Sequence, residues 1–127
     1  MQNLILVALG GCAGAVLRYL LGMQTLRAFG PGWPAGTLSA NVLGGLAMGL
    51  LAGVLALKGG ADQERWRLLL GVGLLGGFTT FSAYSLELAL MLERREWLAA
   101  AGYALVSTML ALIALFAGLW IGRRVFA

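Results

Sequence analysis

The polar residues lying inside the apolar stretches of this chain are nearly all uncharged donors. Among them are Thr37 and Asn41 in one stretch, Thr79, Thr80, Ser82 and Ser85 in a second, and Tyr103 and Ser107 in a third. Hydroxyls and a carboxamide can face an anion without the fixed charge that would bind it too tightly to release. Phe81 and Tyr84, three residues apart, share one helical face, and aromatic ring edges carry partial positive charge. A path of such groups suits a small, hard, strongly hydrated anion. The stretch GGFTTFSAYS, Gly76 to Ser85, also offers a second chemistry. Gly76-Gly77 followed by Thr79-Thr80 favours interruption of a helix, because glycine is permissive and hydroxyls compete for backbone partners. At membrane depth broken backbone survives only where protein buries it or where it lines a wet cavity. Carbonyls freed there can hold a cation, and freed N–H groups an anion. The alternative is a glycine-rich packing face with its hydroxyls bonded back to their own helix.

Two charged residues lie close to these groups. Arg18 shares a four-residue spacing with Gly10, Gly14 and Gly22, a line along which the first helix would dock. It either snorkels to the interface or sets a positive field at a pore mouth. Glu87 is either a proton or cation site or, as its distance from the membrane centre favours, a side chain that snorkels or pairs with arginine. Asn41 is either interhelical glue or a donor to a pore, and Thr37, extending its polar stripe, favours the pore.

Composition excludes much else. Of the 127 residues 61% are hydrophobic and 11% charged, and the mean hydropathy is +0.90, so this is a membrane chain. There is no histidine, which removes the Ser-His-Asp and Cys-His arrangements, and the membrane interior holds no acid–base pair; an enzyme is not expected. The single cysteine, Cys12, is expected to be packing. The net charge of +4 comes from loop arginines without interleaved stacking aromatics, so nucleic acid is not a partner.

A bilayer crossing takes roughly 20 apolar residues, so the chain has room for about four. The expected helices run over about 4–22, 37–57, 68–92 and 97–122, the third broken in its middle, forming one all-α domain over 1–127. Met23 to Gly36, with Gly30-Pro31-Gly32-Trp33-Pro34, reads as a loop, and Lys58 to Arg67, with Gly59-Gly60, as a polar connector. On the second helix Thr37, Asn41, Gly45, Gly49 and Gly53 recur every fourth residue, so a neighbour can approach closely. On the fourth, Tyr103 and Ser107 are one turn apart, Ala111 ends that run of hydroxyls, and Gly118 and Gly122 repeat the small-residue spacing. With both termini inside, Lys58, Arg65, Arg67, Arg123 and Arg124 oppose Arg27, Arg94 and Arg95. That bias is weak, and such a chain can insert either way up.

Three motifs, GGCAGAVLRY at 10–19, GTLSANVLGG at 36–45 and GGFTTFSAYS at 76–85, make the whole chain resemble the Fluc (CrcB-type) family of fluoride channels. The resemblance implies a multi-pass protein of the bacterial inner membrane that exports fluoride passively. It implies an antiparallel, dual-topology homodimer with two fluoride pores and one central sodium ion, structural and not transported. Backbone carbonyls of Gly76 and Thr79 from each subunit would hold the sodium. Asn41 matches the pore asparagine, Phe81 and Tyr84 the aromatic pair, and Arg18 the vestibule arginine. Thr80 and Ser82 match the polar segment after the break, and Tyr103 and Ser107 the fourth-helix polar track. The family's usual TTFSTF reads TTFSAY here, so Ala83 loses a hydroxyl and Tyr84 adds one to a ring. The rival reading is a proton-coupled exporter like the small multidrug transporters. That class needs a carboxylate in its first helix, where this chain has Arg18 and no acid. A non-transporting assembly or lipid-packing protein would leave Asn41, the interrupted helix and the aromatic pair without a purpose.

Overall fold

The computed structural model describes residues 1–58 and 60–126; Gly59, part of the expected polar connector, lies outside them. Four helical segments are long and apolar enough to cross a membrane: Gln2–Phe29, Ala35–Leu57, Gly60–Glu93 and Trp97–Val125. Helix α1 is Gln2–Phe29 and α2 is Ala35–Lys58. The third segment is composite. A 3₁₀ turn, Gly60–Asp62, leads into α3, Gln63–Trp66, and then into a π-helical stretch, Arg67–Leu75. A single turn, α4, covers Gly76–Phe78, residues 79–81 are not helical, and α5 is Ser82–Glu93. Helix α6, Trp97–Val125, completes the chain.

The helix ends correct two expectations. Met23 to Phe29 continues α1, because nothing in Met23-Gln24-Thr25-Leu26-Arg27-Ala28-Phe29 breaks a helix. The stop comes at Gly30, whose φ of 75° suits glycine, with its N–H donating to Leu26 O at 2.9 Å and Pro31 immediately after. The loop is thus only residues 30–34. Likewise the connector after α2 is shorter than Lys58 to Arg67, since Gln63–Trp66 is already helical.

Backbone-to-backbone contact at glycines fixes how the helices sit. Gly45, Gly49 and Gly53 of α2 lie against α6, and Gly118 and Gly122 of α6 lie against α2. A Cβ on Gly45 would come 2.8 Å from Ala111 O, and one on Gly118 2.7 Å from Leu50 N. Gly10 and Gly14 bring α1 onto the third segment, where their Cβ atoms would fall 2.7 Å from Leu74 N and 2.8 Å from Phe78 N. With lipid on the outside, such close packing is what drives helix association. Side chains contribute one small cluster, Met91, Ala100 and Tyr103, with Leu38, Tyr84 and Leu88 against it. Most large apolar residues, Leu98 and Phe116 among them, face outward. Cys12 is exposed too and packs no core within the chain, because α1 turns Gly10 and Gly14 inward instead.

The third segment changes partners along its length. Its π-helical stretch and α4 pack on α1, whereas α5 packs on α6. The non-helical residues 79–81 sit where the exchange occurs.

Candidate functional site

Thr79 is extended, at φ −85° and ψ 156°, so the chain leaves helical geometry directly after Phe78. Gly76 and Gly77 are not where the backbone bends: Gly76 has helical angles of −62° and −39°. Gly77 serves close approach, since a Cβ there would stand 2.6 Å from Gly11 O. The expectation that glycine freedom opens the helix is corrected on that point. The groups that compete for the backbone are side chains.

Asn41, on α2, is the main one. Its Nδ2 donates to Thr80 O at 3.0 Å, and its Oδ1 accepts from Thr80 N at 2.9 Å. One carboxamide thus pairs both backbone groups of one residue, as a neighbouring peptide would. Thr79 Oγ1 donates to Leu75 O at 2.9 Å, and Thr80 Oγ1 accepts from Ala83 N at 3.1 Å, capping the start of α5. In an uninterrupted helix the Thr80 N–H would close onto Gly76 O, and the Ala83 N–H onto Thr79 O. Both amides donate to side chains instead. The carbonyls of Gly76 and Thr79 are thereby deprived of their helical donors.

Two cavities flank the interruption, with Thr80 in the wall of both. The inner one, about 270 Å³, is lined by Asn41, Thr79, Thr80, Phe81, Tyr84, Ser107, Thr108 and Ala111. Five of the residues assigned to an anion path, Asn41, Thr80, Phe81, Tyr84 and Ser107, therefore come together from α2, the interruption, α5 and α6. The rings of Phe81 and Tyr84 lie 5.6 Å apart, and Tyr84 is 5.3 Å from Tyr103. Phe81 is 77% exposed, so the cavity is open on that side of a single chain. Ser107 Oγ is buried without a hydrogen-bond partner.

The outer cavity, about 380 Å³, takes in Arg18, Gly22, Thr25, Trp33, Thr37, Thr80, Ala83 and Glu87. Arg18 is half-buried and makes no ion pair among the described residues. Ser82 and Tyr103 line neither cavity. Ser82 Oγ lies 3.3 Å from Thr80 Oγ1, and Tyr103 is buried with its hydroxyl given to Glu87.

Glu87 is where the sequence reading was overturned. It neither snorkels nor pairs with arginine. Oε1 accepts from Thr37 Oγ1 at 2.5 Å and Oε2 from Tyr103 at 2.6 Å, tying α2, α5 and α6 together. Arg94, the nearest arginine in sequence, bonds Glu96 at 3.2 Å instead. The signal was available: Tyr84, Glu87 and Met91 follow the helical spacing that puts all three on the face of α5 turned to α6. Thr108, beside Ser107 in the inner wall, also belongs to the site.

A family model described as "CrcB-like protein, Camphor Resistance (CrcB)" matches residues 5–119. Curated relatives named "Fluoride-specific ion channel FluC" match end to end. That of Phenylobacterium zucineum (strain HLK1) is 69% identical over 127 residues, all of both chains. That of Caulobacter sp. (strain K31) is 59% identical, covering 100% of this chain and 99% of its own. That of Hyphomonas neptunium (strain ATCC 15444) is 57% identical over the full length of both. Four membrane-crossing segments, and end-to-end likeness to bacterial proteins of this kind, make the chain a multi-pass bacterial membrane protein and a member of the CrcB family.

Proposed function

We propose that the chain is a fluoride-selective channel that lets fluoride leave the cytoplasm down its electrochemical gradient. The observation that carries this reading is the inner cavity, which gathers a carboxamide, hydroxyls and ring edges and no charged side chain. Relatives named for fluoride conduction support it. Arg18, unpaired in the outer cavity, raises the local anion concentration at its mouth. Glu87 shares that cavity, but both its oxygens already accept hydroxyl protons. Past Thr80 the ion exchanges water for the second Nδ2 proton of Asn41, the Ser107 hydroxyl and the ring edges of Phe81 and Tyr84. Tyr103 acts behind this wall, holding Glu87 and backing the Tyr84 ring.

The open side of the cavity fits a working unit of two antiparallel copies, each completing the other's wall. The carbonyls of Gly76 and Thr79, stripped of their helical donors, fit a cation site at the contact between the two interruptions, where a structural sodium ion would add positive charge. No cluster of three or more acidic, cysteine or histidine residues exists among the described residues to bind a metal otherwise. Carbonyl ligands without carboxylates suit a monovalent ion better than a divalent one.

Liposomes loaded with fluoride or chloride and carrying the purified protein test the reading. Fluoride should leave rapidly and chloride should be held back, and replacing sodium should slow fluoride without sodium itself crossing. Equal fluoride and chloride fluxes would overturn the function, and indifference to the cation supplied would overturn the sodium site.

A further inference from the structure

We propose that the Tyr84 hydroxyl is a direct ligand of the anion in the inner cavity, a proposal that rests on the channel reading above. The hydroxyl is loosely held. Its one recorded partner is Ala104 O at 3.4 Å, beyond the 2.5–3.0 Å of ordinary O–H···O bonds. That carbonyl lies inside α6, where the helix already employs it. The ring, by contrast, is fixed between Phe81 at 5.6 Å and Tyr103 at 5.3 Å. The O–H can therefore turn about its bond to the ring while the ring stays in place.

The neighbouring donors in the same wall are mostly committed. Thr79 gives its proton to Leu75 O, Thr80 Oγ1 is engaged by Ser82 and the Ala83 N–H, and one Nδ2 proton of Asn41 is on Thr80 O. Ser107, at 5% relative exposure in that wall, makes no hydrogen bond of ordinary geometry, only a weaker interaction with the Tyr103 hydroxyl. A buried hydroxyl without a partner costs free energy unless something arrives to accept its proton. An anion in the cavity is such an acceptor, and Tyr84 lines the same space. A phenol donates more strongly than an aliphatic alcohol, and a charged acceptor strengthens the bond further. Tyr84 thus offers an anion both a ring edge and a proton, where phenylalanine offers only the edge.

The test is fluoride efflux from liposomes across a series of fluoride concentrations, for wild type and Tyr84→Phe, with the thermal midpoint of each protein measured in detergent. Loss of the hydroxyl should raise the half-saturating fluoride concentration by about tenfold, the size of one charge-assisted bond. Chloride exclusion and the thermal midpoint should stay close to wild type. An unchanged half-saturating concentration in a conducting Tyr84→Phe channel would overturn the ligand assignment alone. A lowered thermal midpoint with unchanged saturation would also overturn it, showing that the hydroxyl only pins α5 to α6. Wild-type protein that passes no fluoride would remove the channel reading and this assignment with it.

Discussion

Asn41 shows how one residue can serve the backbone and the site together. Its two bonds to Thr80 make it glue between α2 and the interruption, and they leave one Nδ2 proton for the pore role proposed above. Asn41→Asp keeps the size but turns an oxygen toward Thr80 O where a donor is needed. The substitution should abolish fluoride efflux from liposomes, through repulsion of the anion at close range and through loss of the bond that holds the interruption. Efflux at the wild-type rate would take Asn41 off the path. The donor residues themselves were legible in the sequence, because polar groups within apolar runs are costly enough to be conspicuous. What each donor is committed to was not. Tyr103 and Glu87 find each other across 16 residues, and only the packing of α5 on α6 reveals the pairing.

At the scale of elements, the glycines divide by the job they do. Gly77 lies against α1 and Gly76 does not: a Cβ on Gly76 meets only Gly71 O, at an ordinary 3.6 Å, whereas one on Gly77 stands 2.6 Å from Gly11 O. Gly77→Ala should cost about 1–3 kcal/mol by forcing α4 off α1. Gly76→Ala should leave the thermal midpoint of the folded chain within a degree or two of wild type. Thermal unfolding in detergent, followed by circular dichroism, distinguishes them, and equal losses would show that Gly76 is also packed. The glycine lines on α1, α2 and α6 were readable as docking faces from their four-residue spacing. Which helix each line met was not, because spacing marks a face and says nothing of its partner. The π-helical stretch Arg67–Leu75 has no recognisable local signal; its apolar residues fit an α-helix equally well. The length of α1 was hidden by giving Gly30 and Pro31 too wide an influence, since a stop signal acts at its own position and not about two turns earlier.

The whole molecule is nearly balanced in charge between its two ends, and its inner cavity is open on the side of Phe81. The antiparallel pair proposed above would satisfy both facts, each copy presenting the same open face to the other. Cysteine labelling tests this: with Cys12→Ala as background, the exposed Ala61→Cys should react with a membrane-impermeant thiol reagent from both sides of intact cells. Reaction from one side only would fix a single orientation and require a different partner chain.

The pairing of Asn41 with Thr80 also has a direction in time. The two residues are separated by 39 positions, and a ribosome adds about 5–20 residues per second, so the carboxamide is made about 2–8 s before the peptide it holds. The second crossing can therefore be in the bilayer when the third arrives. Peptide groups that hydrocarbon would penalise by several kcal/mol each meet their partner on arrival. A permuted chain in which residues 60–126 were synthesised first would make Asn41 only after Thr80, by about 87 residues or about 4–17 s, with an unpaired peptide in oil meanwhile. The order of the segments thus guards the most vulnerable backbone of the protein during its birth.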